Sequence, residues 1–231
     1  KKQRRFYQHE ALMRYAKRLG FGEIHTKIDH ETGLHAMIAI HSNKLGPAIG
    51  GSRLHAYSSA GAGLKDALRL SYMMTLKAAI SNLPHGGAKA VIIKPAAIKD
   101  RQALFESYGD FVHEMNGRYI AAIDVGTSTD DMDVVATRTP YVIGDTKSTT
   151  VEDANPSPLT AMGVLRSIEG AAQFHLNKDS VEGLHVAIQG AGSVAYYLSK
   201  LLHERGARIT VCDPHPEAAQ RIADECQANV V

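Results

Sequence analysis

Two lysines and one aspartate in the first half of the chain occupy positions that suggest a chemical role. Lys77 lies in an almost wholly apolar helical segment, Lys89 opens an apolar strand after two glycines, and Asp124 follows another apolar strand. Apolar surroundings destabilise an ammonium ion, which lowers the pKa of a lysine and lets it act as an acid or a base near neutral pH. Taken singly, each residue also has a structural explanation: a lysine that reaches the surface, a charge at a strand edge, or a turn cap.

A double glycine, Gly50 and Gly51, interrupts an apolar strand in the same half of the chain. Because glycine has no side chain, backbone N–H groups at this point are open to a small anion such as a carboxylate. A β-bulge is the alternative explanation for glycines within a strand. The residues alone leave both explanations open.

The second half of the chain carries a candidate nucleotide-binding turn. The apolar strand at 184–189 runs directly into a G-x-G-x-x-A segment, made of Gly190, Ala191, Gly192, Ser193, Val194 and Ala195. An amphipathic helix follows, so the strand and helix that this motif requires stand on both sides of it. The first glycine permits the tight turn, and the second lets the backbone approach a pyrophosphate at the helix N-terminus. A glycine turn that only packs a helix is the alternative.

An acidic residue stands at the position where it can select the nucleotide. Asp213 ends the next strand, 23 residues after Gly190. A carboxylate there accepts hydrogen bonds from the ribose hydroxyls and repels a 2′-phosphate, so the sequence favours NAD over NADP. Arg208 and His215 are nearby and could soften that preference.

Hydrophobic periodicity predicts two α/β domains. In the first, three successive strands suggest a meander, so the sheet must be at least partly antiparallel. Its predicted helices are 3–19, 64–80, 101–115 and 130–137, and its predicted strands are 23–28, 34–41, 48–57, 89–94, 119–123 and 141–143. A loop is predicted at 58–63.

After a linker-like stretch at 145–158 and a helix from Pro158 to about Phe174, strands and helices alternate strictly, which indicates a parallel sheet. The predicted elements are strands 184–189 and 208–213 and helices 194–205 and 216–227. We place the domains at 1–145 and 146–231. Residues 229–231 begin a third strand, whereas a full dinucleotide fold has six, so we expect this Rossmann domain to be incomplete.

Composition excludes several classes of protein. The 231 residues include 26 basic and 24 acidic side chains and are 44% hydrophobic, which fits a globular protein and argues against a dedicated nucleic-acid binder. No apolar run approaches the roughly 20 residues of a membrane span. Cys212 and Cys226 lack metal-ligand spacing, and the 12 histidines form no H-E-x-x-H pattern, so we expect no metal. This cysteine usage predicts a reducing cytoplasm.

Four segments, with the nucleotide motif, carry a family resemblance. They occur in order as GPAIGGSR at 46–53, MTLKAA at 74–79, GGAKAVI at 86–92 and DVGT at 124–127. From about His35 to its last residue the chain resembles the glutamate/leucine/phenylalanine/valine dehydrogenase family, and its leucine and phenylalanine members most of all. The resemblance implies NAD-dependent oxidative deamination of an L-amino acid, a first domain that binds substrate and assembles the protein as a homo-oligomer, and an NAD-binding second domain.

Roles for single residues follow from the resemblance. Lys77 would pair with the substrate carboxylate, helped by the backbone at Gly50 and Gly51. Lys89 would be the catalytic lysine that activates the water attacking the iminium, and Asp124 would move protons to and from the amino group. Such a carboxylate contact orients the Cα–H bond toward the nicotinamide.

The resemblance also indicates the kind of substrate. Glutamate-specific members carry a lysine just before the double glycine, where this chain has Ile49, so an apolar side chain is favoured. Ala122 resembles the pocket wall of the leucine members, whereas SNLP at 81–84 resembles the phenylalanine members. Met74 is the third expected pocket residue. Leucine or another branched-chain amino acid is the favoured substrate, with a phenylalanine-type enzyme as the alternative.

Two residues depart from the leucine-type pattern: Ile123 replaces a common glutamate, and Ile143 replaces a common threonine. Two other classes also remain open. One is a non-catalytic nucleotide-binding or assembly subunit. The other is a folate-type or shikimate-type dehydrogenase, which the GGAK and DVGT motifs disfavour.

Overall fold

The computed structural model describes residues 2–147 and 155–231. The chain divides into two compact units, Lys1–Ala154 and Asn155–Val231. Residues 148–154 of the predicted linker at 145–158 lie outside the described residues. Each unit is an α/β structure with its own sheet, as the sequence predicts.

The first unit contains a five-stranded mixed sheet in the order β1-β2-β4-β3-β5. The pairs β1–β2 and β2–β4 are antiparallel, whereas β4–β3 and β3–β5 are parallel. The elements are α1 (Lys2–Leu19), β1 (Glu23–Asp29), β2 (Leu34–Ser42), β3 (Ala48–His55), α2 (Ala60–Ile80), β4 (Gly86–Ile93), α3 (Arg101–Glu114), β5 (Tyr119–Ile123) and α4 (Thr129–Ala136). The prediction of a partly antiparallel sheet is confirmed.

The predicted meander is wrong, because β4 lies between β2 and β3. After β3 the chain passes through α2 and returns as a strand parallel to β3, which is the usual outcome of a strand–helix–strand connection. The expected strand at 141–143 is reduced to a single bridge between Val142 and Ala121.

Helix α2 begins at Ala60, so the loop predicted at 58–63 is wrong for its last four residues. The Ser59 side chain caps the helix by accepting a hydrogen bond from the Ala62 N–H at 3.1 Å. Gly63 is buried, and a Cβ atom there would lie 3.3 Å from Val91 Cγ1. Small residues that look like a loop in the sequence therefore let the first turn of α2 approach the sheet closely.

The two faces of this sheet are covered by different helices. On one face, strand residues such as Ile38 and Ile92 pack with Phe105 of α3 and Met132 of α4. On the other face, Ala39 and Val91 pack with Leu68 of α2 and Ala16 of α1. Because side chains alternate along a strand, Lys89 lies on the same face as Val91, the face that α2 covers.

The second unit has three parallel strands in the order β6-β7-β8. Its elements are α5 (Ser157–Leu176), β6 (His185–Gln189), α6 (Ser193–Glu204), β7 (Arg208–Cys212), α7 (Pro216–Cys226) and β8 (Asn229–Val230). The alternating pattern and the third strand are confirmed. Its core includes Leu165, Leu202, Val211 and Ile222.

In the part of the chain that the structure describes, no helix is long and apolar enough to cross a membrane. Over the same residues, no group of three or more histidine, cysteine, aspartate or glutamate side chains is arranged to hold a metal ion.

Candidate active site

A buried lysine and an aspartate meet across the middle of the first sheet. Lys89 on β4 is only 5% exposed, and its Nζ lies 2.9 Å from Oδ2 of Asp124, which directly follows β5. Strand β3 separates β4 from β5, so the lysine side chain must pass over β3 to reach the aspartate. The fold therefore brings together the two predicted catalytic residues.

The double glycine makes this meeting possible. A Cβ atom at Gly51 would lie 2.7 Å from Asp124 Cβ and 3.1 Å from Lys89 Nζ, and one at Gly50 would lie 1.9 Å from the Ala88 carbonyl oxygen. Pairing of β3 with β4 stops at the two glycines and resumes in the same register beyond them, so no residue is inserted as in a β-bulge. Gly51 therefore makes room for the ion pair, and Gly50 lets β3 lie close to the backbone of β4.

The pKa values of both members of the ion pair are shifted in directions that favour proton transfer. Burial lowers the pKa of Lys89, and the positive charge of Arg53 lowers it further, although Asp124 opposes both effects. Burial alone would raise the pKa of Asp124, but the charges of Lys89 and Arg53 outweigh it and hold the pKa below its usual value. At neutral pH this arrangement keeps the carboxylate charged and weakens the hold of the lysine on its proton.

Arg53 and Asp66 are members of this site that the sequence did not single out. Arg53 donates from Nε to Asp124 Oδ2 at 2.7 Å and from Nη1 to Asp66 Oδ2 at 2.9 Å. Asp66, on α2, also accepts hydrogen bonds from Tyr57 OH and Arg69 Nε at 2.7 and 2.6 Å. The available signal was the position of Arg53 two residues after Gly51, because alternate residues of a strand share a face.

The turn after β5 fixes the backbone of Asp124. The Thr127 hydroxyl donates to the carbonyl oxygens of Ser52 and Asp124, and it accepts a hydrogen bond from the Asp124 N–H at 2.9 Å. Gly126 has φ +84, and a Cβ atom there would lie 2.0 Å from the Leu54 carbonyl oxygen. The Asp-Val-Gly-Thr sequence is thus the turn that ties the aspartate to β3.

Buried hydroxyl groups support the double glycine. Tyr119 OH donates to the Gly50 carbonyl oxygen at 2.8 Å, and Ser52 Oγ lies 2.7 Å from Tyr108 OH. Both tyrosines are fully buried, which raises the pKa of Tyr119 to about 12 and keeps its hydroxyl protonated. The Gly50 carbonyl is therefore held in place by a permanent donor.

The predicted pocket residues lie on the lysine-bearing face. Ile49 and Gly51 are alternate residues of β3, and Ala122 is the β5 partner of Gly51, so their side-chain positions share one face. Ile49 and Ala122 are half-buried, as is Met74 on α2, the helix that covers this face.

Lys77 differs from Lys89 in its surroundings. It is exposed near the end of α2, whereas its neighbour Ala78 is buried, so the prediction of apolar surroundings for Lys77 is wrong. Its ammonium has no ion-pair partner among the described residues. The helix nevertheless runs close to the active-site strand, because a Cβ atom at Gly87 would lie 2.1 Å from the Thr75 nitrogen.

The two residues that depart from the family pattern lie beside β5. Ile123 is half-buried, and its Cδ1 lies 3.2 Å from the position of a Cβ atom on Gly144. Ile143 is 40% exposed and donates its backbone N–H to the Ala121 carbonyl oxygen at 2.9 Å. Both are apolar neighbours of the strand that ends at Asp124.

The nucleotide motif of the second unit adopts the predicted turn. Gly190 has φ +95, a left-handed value that favours glycine, and its N–H donates to the Cys212 carbonyl oxygen at 2.8 Å. Helix α6 begins at Ser193 with Gly192 as its N-cap and no side-chain cap. Apart from their chain neighbours, Cβ atoms at Gly190 and Gly192 would meet no atom of the described residues within 4 Å, so the turn is open within that part of the chain. Val194 packs against the core of this unit.

Asp213 reaches the glycine turn directly. Its Oδ2 accepts a hydrogen bond from the Ala191 N–H at 2.7 Å, and its Oδ1 accepts one from the His215 N–H at 2.8 Å. These two backbone bonds lower the pKa of Asp213. A cavity of about 270 Å³ adjoins the turn and is lined by Ala191, Gly192, Ser193, Tyr196, Tyr197, Ala218, Arg221 and Ile222. An uncapped helix N-terminus, open glycines and an adjacent carboxylate fit a dinucleotide.

Comparison with known proteins agrees with the family resemblance of the sequence motifs. A model of the Glu/Leu/Phe/Val dehydrogenase dimerisation domain matches residues 21–141, and a model of the glutamate/leucine/phenylalanine/valine dehydrogenases matches 156–215. Leucine dehydrogenase of Bacillus cereus is 43% identical over 95% of this chain and 60% of its own length. Leucine dehydrogenase of Thermoactinomyces intermedius is 45% identical over 88% of this chain and 55% of its own length.

A solved structure is also similar. The crystal structure of L-tryptophan dehydrogenase from Nostoc punctiforme matches with a TM-score of 0.67 and 36% identity, and the match covers 95% of this chain and 61% of that one. Fold and site define the class: an α/β protein with a mixed-sheet unit followed by part of a Rossmann unit. The chain belongs to the glutamate/leucine/phenylalanine/valine dehydrogenase family. It spans about 60% of the length of the leucine dehydrogenase from Bacillus cereus.

Proposed function

We propose that the intact protein is an NAD-dependent dehydrogenase that converts an apolar L-amino acid to its 2-oxo acid and ammonia. The observation that carries this proposal is the buried Lys89–Asp124 pair, formed over Gly51, in which the pKa of the lysine is lowered. Oxidative deamination needs a base for water and a carrier for the protons of the amino group, and this pair supplies both. Leucine dehydrogenases at 43% and 45% identity support the assignment.

The proposed reaction consumes an L-amino acid, water and NAD⁺, and it yields a 2-oxo acid, ammonium, NADH and one proton. Bound NAD would accept the hydride from the substrate Cα. Neutral Lys89 takes a proton from the water that attacks the iminium carbon of the substrate. Asp124 then carries protons to and from the departing amino group. To accept a proton it must begin as a carboxylate, and its lowered pKa keeps it in that form at neutral pH.

Substrate orientation is assigned to the exposed ammonium of Lys77 and to the backbone of Gly50 and Gly51. Lys77 is accessible and has no ion-pair partner among the described residues, so its charge is available to a substrate carboxylate. Two contacts on one carboxylate would fix the direction of the Cα–H bond, and such positioning of reacting groups lowers the barrier to the transfer.

We assign the side-chain pocket to Ile49, Met74 and Ala122, which are half-buried and carry no charge. Leucine or another branched-chain amino acid is the favoured substrate. An aromatic substrate is the second candidate, supported by the 40% identity to L-tryptophan dehydrogenase of Nostoc punctiforme. A single methylene in an apolar pocket discriminates by only about 1–3 kcal/mol, so we expect overlapping substrates.

NAD is assigned to the second unit. The backbone at Gly190, Ala191, Gly192 and Ser193 would hold the pyrophosphate at the start of α6, and Asp213 would accept hydrogen bonds from the ribose hydroxyls. We accordingly propose residues 1–145 as the substrate-binding and oligomerisation domain and 146–231 as the first part of the NAD-binding domain.

Assembly and location are part of the same proposal. The model that matches 21–141 is described as a dimerisation domain, which supports a homo-oligomer formed through the first domain. Two free cysteines, Cys212 and Cys226, support a cytoplasmic location. A monomer by light scattering would contradict the assembly.

The test is NADH formation by the intact protein from a panel of L-amino acids with NAD or NADP. We expect turnover with leucine and NAD, and at least about a 100-fold loss in Lys89→Ala, because a positioned acid–base group contributes about 10²–10⁴-fold. Lys99→Ala, at an exposed lysine of the same unit, is the matched control. NAD binding by calorimetry without turnover on any amino acid would instead support the non-catalytic subunit.

A further inference from the structure

Two cations hold one oxygen of the Asp124 carboxylate. Lys89 Nζ lies 2.9 Å and Arg53 Nε lies 2.7 Å from Oδ2. The other oxygen, Oδ1, accepts no hydrogen bond from the residues that the structure describes. Oδ2 is thus in contact with two cations, and Oδ1 remains available to accept a proton.

Arg53 is itself held at its second branch. Its Nη1 donates to Asp66 Oδ2 at 2.9 Å, and Asp66 is fixed on α2 by Tyr57 and Arg69. A guanidinium can span two carboxylates in one plane, whereas the single ammonium of a lysine cannot reproduce that geometry. Arg53 therefore connects helix α2 to the aspartate.

Packing alone does not immobilise Arg53. It lines a cavity of about 540 Å³ together with Tyr57, Asp66 and Val125, among other residues. With open space beside it, a long side chain keeps one rotamer only if its charged end is bound, since ordering such a side chain costs conformational entropy. Asp66 supplies that binding.

We propose that Arg53 is a positioning residue that holds Asp124 Oδ2 and so directs Oδ1 toward the substrate, and that Asp66 positions Arg53. The proposal rests on the proposed dehydrogenase function. Without Arg53, Lys89 would be the one described cation on the carboxylate, and the two oxygens of Asp124 would exchange places by rotation about the Cβ–Cγ bond. Asp124 would keep its charge, but its free oxygen would lose a fixed direction.

The charged groups around Lys89 and Asp124 determine how the two pKa values change when Arg53 is substituted. Lys89 on β4 faces Asp124, Arg53 on β3 and Asp66 on α2; the two carboxylates raise its pKa and Arg53 lowers it. Arg53 also lowers the pKa of Asp124. Removal of the Arg53 charge therefore raises the pKa of both Lys89 and Asp124. Because Lys89 acts in its neutral form, the reaction rate rises as the pH increases through the pKa of Lys89. A higher pKa of Lys89 must therefore move this rise in rate to higher pH.

Two variants of Arg53 in the intact protein distinguish the effect of its two-branched contact from the effect of its charge. In Arg53→Lys the charge remains but the two-branched contact is lost, so we expect kcat to fall about 100-fold, the loss that a displacement of about 1 Å can cause, with an unchanged pH profile. In Arg53→Gln we expect a similar fall together with a profile shifted to higher pH. Asp66→Asn is expected to lower kcat like Arg53→Lys, and Asp66→Glu to recover part of it.

The control is Arg138→Gln, which breaks the exposed Arg138–Asp110 ion pair of the same unit and should leave kcat unchanged. Thermal unfolding of each variant identifies any that fails to fold. An Arg53→Lys enzyme with wild-type kcat, or an Arg53→Gln enzyme with wild-type kcat and pH profile, would overturn the proposal.

A second measurement does not depend on turnover. The pKa of Lys89 is followed in the intact protein by NMR of ¹³Cε-labelled lysine, with the resonance assigned from its loss in Lys89→Ala. We expect this pKa to be higher in Arg53→Gln than in the wild type and unchanged in Arg138→Gln. An unmoved Lys89 pKa in Arg53→Gln overturns the proposal, whereas inactivity of the wild type on every amino acid overturns only the proposed function.

Discussion

The glycines of the two units serve opposite physical purposes. In the first unit, Cβ atoms at Gly50 and Gly51 would lie 1.9 Å and 2.7 Å from atoms of the protein itself. In the second unit, Cβ atoms at Gly190 and Gly192 would lie more than 4 Å from every residue that the structure describes other than their chain neighbours. The first pair is required by contacts within the protein, and the second leaves open space at the turn where we propose that NAD binds.

The charged groups differ in the same way. Asp124 is bound by two cations, is mostly buried, and belongs to an ion-pair network that includes Asp66. Among the residues that the structure describes, only two backbone N–H groups hold Asp213. We infer that the first unit assembles its reactive groups during folding, whereas the second presents backbone donors that become engaged when the nucleotide arrives. Substitutions in the two units should therefore damage different properties.

The largest effect is expected for Gly51→Ala. The added methyl would lie 2.7 Å from Asp124 Cβ and 3.1 Å from Lys89 Nζ, so the ion pair must move apart. We expect a loss of stability of about 1–3 kcal/mol in denaturant unfolding and a fall in kcat of about 100-fold. The control is Gly22→Ala in the same unit, where a Cβ atom meets nothing within 4 Å. A Gly51→Ala protein that is as stable and active as the control would remove the contrast between the units.

The sequence predicts this part of the site well because the information is local. Lys89 stands in an apolar strand just after two glycines, and Asp124 directly follows another apolar strand and precedes a glycine-containing turn, so each residue is conspicuous within its own segment. The family resemblance then relates them to Gly50 and Gly51. The nucleotide turn is predicted for the same reason, since Gly190 and its flanking strand and helix are contiguous.

The features that could not be predicted from the sequence depend on tertiary structure. The link from Arg53 to Asp66 joins β3 to α2, and neither residue has an unusual neighbourhood in the sequence. The exposure of Lys77 depends on the rotation of α2, which the apolar sequence around it does not determine. The position of β4 between β2 and β3 is likewise a property of the sheet as a whole, so local periodicity could not reveal it.

A smaller and more selective effect is expected for Gly192→Ala in the second unit. Gly192 has φ −72, which alanine adopts readily, and a Cβ atom there meets nothing within 4 Å. The protein should fold with unchanged stability, but the methyl would stand where the backbone must approach a pyrophosphate. We expect the Kd for NAD to rise about tenfold, equivalent to about 1.4 kcal/mol.

Calorimetry with NAD measures this change, and Gly163→Ala in α5 is the control because its Cβ position is also open. If Gly192→Ala binds NAD as tightly as the control, the open turn is not the pyrophosphate site. A loss of stability in Gly192→Ala without a change in Kd would mean that this glycine, like Gly51, is required by the protein itself.

The smallest effect is expected for Asp213→Asn. The amide keeps one acceptor oxygen for the backbone of the turn, but it removes the charge that opposes a 2′-phosphate. Two unit charges about 4 Å apart in water interact by about 1 kcal/mol, so the preference for NAD over NADP in kcat/KM should fall about fivefold. High salt should reduce this difference, because an exposed charge is screened. An unchanged preference would show that Asp213 serves only to brace the turn through Ala191, in which case it would resemble the internally engaged groups of the first unit.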